Sequence, residues 1–226
     1  MKMSNNISVV NNSTYYIYVV MLLCLSGLWS CVSLNSHQTG KTLGKGNYNF
    51  SGNVLAGPSP LLPSDVFKNA YHFEVGGMYG TEDNIDIGVK VNSSLFFTMM
   101  GKYQWLGDKQ SPIASSIGLD IGVAPLYIIT GITTYSGSLA FYNSYHPSEH
   151  FAIVFSPRFI HYSTATWIVG NKSHYHYPLY GYSTGFIVGK KHQFSFEVSQ
   201  FTTIEDTYSF ALPPIIGFGY IWNIGK

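Results

Sequence analysis

From Gly46 to the end of the chain, apolar and polar residues alternate one by one. A chain with that period has to be built from strands that turn one face to an apolar surrounding. Ile85-Asp86-Ile87-Gly88-Val89-Lys90-Val91 is the clearest stretch. Ten such strands are predicted, at about 46–56, 70–80, 85–91, 95–105, 113–123, 131–143, 150–162, 179–189, 194–199 and 213–224. Most approach the ~9–11 residues that a tilted strand needs to cross a bilayer. Eight strands is the alternative count, reached if the first or the sixth fails. The predicted fold is all-β: an antiparallel, up-and-down transmembrane β-barrel over 46–226.

Which face meets water decides between a membrane barrel and a soluble, lipocalin-like one. The apolar face is bulky, and the polar face is mostly Gly, Ser, Thr and Asn. Charged residues are only 10% of the chain, against about 25% in an ordinary soluble domain. A soluble barrel would need many Lys and Glu on its polar face. A narrow lumen suits small side chains instead. The polar face carries Glu74, Asp86, Asp120 and Glu197 against Lys90, Lys102 and Arg158. In a tight lumen they are expected to form an ion-pair network, because an unpaired buried charge costs several kcal/mol.

The aromatics fit that assignment. With both termini in the periplasm, Tyr79, Tyr103, Trp105, Tyr220 and Trp222 fall at one rim, as an interfacial girdle requires. Tyr71, Tyr135, Tyr180 and Tyr182 fall at the other. The short connections Gly80–Asn84, Gly107–Pro112 and Gly189–His192 would be periplasmic. Gly57–Asn69 and Ser163–Pro178 would be external loops. Asn143–Glu149 is rather long for a periplasmic turn.

Before the strands, one apolar run spans Tyr15 to Trp29, and Leu28-Trp29-Ser30-Cys31 closes it. It is too short for a ~20-residue membrane helix. Residues 1–30 therefore read as an export signal. Its end resembles the bacterial lipobox, which implies lipidation at Cys31 and a polar N-terminal tether over 31–45. Cys24 would leave with the signal, so neither an intramolecular disulfide nor a cysteine metal site can form. Val32 is not the aspartate that retains bacterial lipoproteins at the inner membrane.

Tyr79-Gly80-Thr81-Glu82-Asp83-Asn84-Ile85-Asp86-Ile87-Gly88 resembles the hairpin common in small Gram-negative outer-membrane barrels, and Gly101–Lys109 resembles the next periplasmic hairpin. The resemblance is to a class and carries no activity. It implies residence in the bacterial outer membrane, contact with its lipids and handling by the barrel-assembly machinery. Asn223-Ile224-Gly225-Lys226 departs from the usual terminal aromatic, leaving Tyr220 and Trp222 to serve that recognition.

Net charge argues against nucleic acid. Removing Lys2 from 12 basic and 11 acidic residues leaves 11 of each, and no basic run exceeds Lys190-Lys191. Three constellations suggest chemistry: His174-Tyr175-His176 as metal ligands, Glu205-Asp206 with those histidines as a protease-like rim, and His161 with Ser163 as a deacylase-like pair. None comes with a third partner or a surrounding motif, so no catalytic residue, metal or cofactor is assigned. The expected role is structural or interactive, with external loops facing an unknown extracellular or periplasmic protein. A narrow channel or lipophile carrier is the alternative, and a rim hydrolase the second.

Overall fold

The computed structural model describes residues 36–57, 70–93, 95–124, 132–168, 171–205 and 208–225. The export signal and Cys31 lie outside the described residues. Eleven strand segments are formed: β1 (Tyr48–Gly57), β2 (Ala70–Glu82), β3 (Ile85–Asn92), β4 (Phe97–Leu106), β5 (Ile113–Ala124), β6 (Ile132–Ser148), β7 (Phe151–Ile168), β8 (Asn171–Gly189), β9 (His192–Glu205), β10 (Tyr208–Ala211) and β11 (Ile215–Ile224). Among the described residues there is no helix.

Each stave pairs antiparallel with the next from β1 to β9; β9 pairs with β11, and β11 with β1, which closes the ring at ten staves. β10 lies on the upper part of β9, from Thr202 to Glu205. It is the far half of the tenth stave. Leu212-Pro213-Pro214 separates it from β11, because proline has no N–H for the ladder.

The period-two reading locates every stave. Its errors are at the ends. The described residues of the expected external loop Ser163–Pro178 are instead strand: β7 and β8 form a long hairpin, paired from Phe151↔Val188 to Ile168↔Asn171. Similarly, β6 continues to Ser148, with a register shift between Tyr145 and Ser148, so the connection to β7 is only Glu149-His150. Cross-strand backbone pairing continues where the alternation of side chains has already faded.

Tight turns close the end where β1 starts and β11 finishes. At Gly189 φ is +116°, and an added Cβ would lie 2.0 Å from the His192 carbonyl oxygen. Only glycine fits there. In the β4–β5 turn, Asp108 accepts hydrogen bonds from the Ser111 hydroxyl and from the Ser111 and Gln110 amides. Those bonds hold its carboxyl below the usual carboxylate range.

The outer wall is apolar. Phe73, Val75, Val89, Met99, Ile121, Phe194 and Phe218 are all more than half exposed. Tyr79, Tyr103, Trp105, Tyr220 and Trp222, the residues expected to form a girdle, are exposed at the short-turn end. There His192 stacks between Tyr220 and Trp222, and its ring nitrogen lies 2.6 Å from the Tyr220 hydroxyl. Glu74, Asp86, Lys90, Lys102, Asp120, Arg158 and Glu197 all point inward.

Candidate functional site: the lumen

Two facts define the lumen. Its wall pairs acids with bases, and part of the chain itself lies across it. Lys102 Nζ is 3.2 Å from Asp86, Lys90 Nζ is 3.6 Å from Glu74, and Arg158 is 3.9 Å from Asp120. The first pair joins directly opposed residues of β3 and β4. The second joins diagonal neighbours on β2 and β3. The third spans β5 and β7 across the lumen side of β6. Asp120 also accepts from the Ser138 hydroxyl at 3.1 Å.

Glu197 has a different set of partners. It accepts the Ser36 amide at 2.9 Å and the His37 amide at 2.8 Å, together with the hydroxyls of Ser36 and Ser199. Ser36 and His37 belong to the stretch read from sequence as a tether. The described part of that stretch, Ser36–Lys45, does not hang free; it lies inside the barrel. It enters at the short-turn end, where the Gly46 amide donates to the Gly80 carbonyl at 2.8 Å. From there the Leu43 amide reaches both Asp86 oxygens at 3.0 and 3.1 Å, and the Thr42 amide reaches Gln104 at 2.7 Å. Lys102 donates to the Lys41 carbonyl at 2.8 Å, and the Gly40 amide donates to Ser144 at 2.9 Å. Asp86 is the second residue of β3, beside its turn, whereas Glu197 is five residues into β9. Going back from Leu43 to Ser36, the segment therefore climbs into the barrel.

His37 is buried with φ of +46°, a conformation that few residues other than glycine adopt. Its Nδ1 lies 2.8 Å from the Ser195 hydroxyl. These contacts with β9 hold a backbone geometry that is locally unfavourable.

The lumen is less polar than the alternation suggests. Ile160, Tyr162, Leu179, Phe201, Leu212 and Ile215 form a buried apolar cluster beyond Glu197, toward the long-hairpin end. Ala152, Val154, Ile187 and Ile221 form another nearer the turns. Both sit where β7, β8, β9 and β11 face inward. These staves are apolar on both faces, so the strict alternation breaks there.

The other sequence candidates do not converge. His161 stacks on His176 with ring centroids 5.6 Å apart, on the outside of the β7–β8 hairpin. Ser163 pairs with His176 in that ladder, and His174 pairs with Ala165. Among the described residues no three His, Cys, Asp or Glu side chains are grouped to hold a metal. Asp206 lies outside the described residues. At the short-turn end the lumen opens into a cavity of about 920 Å³, lined by Lys41, Thr42, Leu43, Lys102 and the turn residues Gln110 and Lys190 among others.

No family model matches the chain, and no curated protein does. Among solved structures it is similar to Neisserial surface protein A (TM-score 0.41, 10% identity, covering 80% of this chain and 98% of that one). It is also similar to Ail, the attachment invasion locus protein of Yersinia pestis (0.36, 9%, 80% and 99%). A third is the N-terminal β-barrel domain of Pseudomonas aeruginosa OprF (0.34, 10%, 80% and 99%). At these values nothing about activity passes to this chain; its barrel architecture rests on its own strand pairings.

Proposed function

We propose that this chain is a bacterial outer-membrane barrel with a sealed lumen, whose role is structural or interactive rather than transport. The observation that carries the reading is the combination of an apolar outer wall with a lumen crossed by Ser36–Lys45. A continuous apolar belt needs lipid, and the export signal read over 1–30 supports the outer membrane as the site. The short turns and the exposed aromatics at that end support a reading in which β1's start and β11's finish lie in the periplasm. Lipidation at Cys31 belongs to the same proposal, as does assembly by the barrel-assembly machinery.

The partner-facing element is the β7–β8 hairpin. β8 pairs with β9 only from Leu179 to Gly189, whereas it pairs with β7 back to Asn171. Its outer edge from Asn171 to His176 therefore lies beyond the paired part of β9 among the described residues. An open strand edge is a template for a further strand. A protein partner that adds a strand there fits this edge.

The test is single-channel recording on the refolded mature chain, Cys31–Lys226, in a planar bilayer, after a heat-dependent gel shift has established folding. Electrical silence is the expected outcome. Steady, discrete conductance would overturn the sealed lumen and make the narrow channel the better reading.

A further inference from the structure

We propose that the lumen wall is a binding site for polypeptide main chain, and that Ser36–Lys45 is its ligand in cis, exchangeable for a peptide in trans. This goes beyond a sealed lumen, because it separates the wall, as a receptor, from the segment that fills it.

The wall grips main chain. Asp86, Gln104, Ser144 and Glu197 take the amides of Leu43, Thr42, Gly40, His37 and Ser36, and Lys102 takes the Lys41 carbonyl. These five side chains come from β3, β4, β6 and β9, so opposite parts of the ring hold one run of main chain. By contrast, the segment makes no backbone–backbone hydrogen bond to a stave among the described residues before Gly46. Its departure would break no ladder.

The wall is not complete without an N–H donor. Glu197 is 1% exposed and takes three of its four hydrogen bonds from Ser36 and His37. A buried carboxylate stripped of its donors is strongly disfavoured. An empty wall would therefore recruit another set of amides.

The space is cut to a small-residue backbone. A Cβ at Gly80 would lie 2.1 Å from the Gly44 carbonyl oxygen. A Cβ at Gly219 would lie 3.1 Å from His37 Nδ1 and 2.3 Å from Ser195 Oγ. On the segment, a Cβ at Gly40 would lie 2.2 Å from the Ala114 carbonyl oxygen and 2.9 Å from that of Tyr142. The ligand class is thus a peptide with glycine at that point. The cavity at the short-turn end gives a route of exchange, since Thr42 and Leu43 line it.

Gly40→Val weakens the cis ligand and leaves every wall side chain in place. The full mature chain carrying it is refolded, and folding is checked by the gel shift. Hydrogen exchange at the Leu43 amide then reports whether the segment has left. A fluorescein-labelled peptide of Ser36–Lys45 sequence is titrated in and followed by anisotropy. Saturable binding to the Gly40→Val chain is expected. Binding at least tenfold weaker is expected for the unsubstituted chain, whose site is filled, and for Gly40→Val combined with Asp86→Asn and Glu197→Gln. A folded, vacated chain that ignores the peptide would overturn the proposal. So would equal binding after the two wall substitutions, or a Leu43 amide that stays protected. Leu43→Pro, which removes the amide held by Asp86, is the second variant. If neither variant reaches a folded barrel, the segment is part of the fold and not a ligand, and the proposal falls.

Discussion

At the scale of single residues the lumen is governed by the cost of burying charge. Lys102 and Asp86 are 5% and 0% exposed and 3.2 Å apart. Removing one partner of such a pair leaves the other charge unpaired, at a cost of about 3–5 kcal/mol. We expect Lys102→Ala to lower the unfolding free energy by that amount, measured by denaturant titration in lipid vesicles. Asp86→Ala should cost at least as much, since Leu43 also loses its acceptor. The double variant should cost clearly less than the sum, because residues of one network couple. Strict additivity would mean that the two act separately. All seven inward charges were legible in the sequence as a set, because alternation assigns each to a face. Their partners were only partly legible. Glu197 reads as one more member of the ion-pair network, yet the amides of Ser36 and His37 occupy it. Backbone donors leave no residue-type signal, so no sequence pattern points from Glu197 to position 36.

At the scale of elements, strand positions were readable and strand ends were not. Alternation persists only where one face meets an apolar phase. Above the belt both faces of β7 and β8 leave that phase, so the pattern fades while the ladder continues to Ile168↔Asn171. The segment Ser36–Lys45 was opaque for a related reason. Its polar composition and its two glycines fit a free linker as well as they fit a strand of main chain held by side chains. The extended hairpin carries its own consequence. Along β8, alternate amides point to β7 and the rest point away from it. From Leu179 onward the second set is bonded to β9; from Asn171 to His176 no such pairing is made among the described residues. Opening free energy varies along a structure with the bonds made locally. Hydrogen exchange on the folded chain should therefore show fast and slow amides alternating over residues 171–176, and uniformly slow amides over 180–189. Uniform protection of both stretches would mean that the upper edge of β8 is already covered.

At the scale of the whole molecule, the barrel inverts the arrangement of a soluble domain: seven charges of its staves point inside, and many of its large apolar side chains point outside. Low charge content and abundant aromatics already required this, since a chain with 10% charged residues has too few to coat a surface. The inversion makes a depth-dependent prediction that no soluble barrel would share. Val89 lies in the middle of β3 with 60% of its surface exposed, and Ile113 opens β5 at the short-turn end with 57% exposed. In water an arginine at either place would be nearly neutral, because exposed positions tolerate charge. In a bilayer the cost follows depth: about 2–4 kcal/mol at the midplane and about 0–1 kcal/mol near an interface. We expect Val89→Arg to destabilise the vesicle-embedded chain by the larger amount and Ile113→Arg by the smaller, in denaturant unfolding measured side by side. Equal and small effects would show that the belt does not face lipid. Equal and large effects would place Ile113 as deep as Val89, and the short-turn end would then lie inside the bilayer instead of at its edge. The two positions are almost equally exposed, so a difference of several kcal/mol between them is not one of burial and reports the surrounding phase.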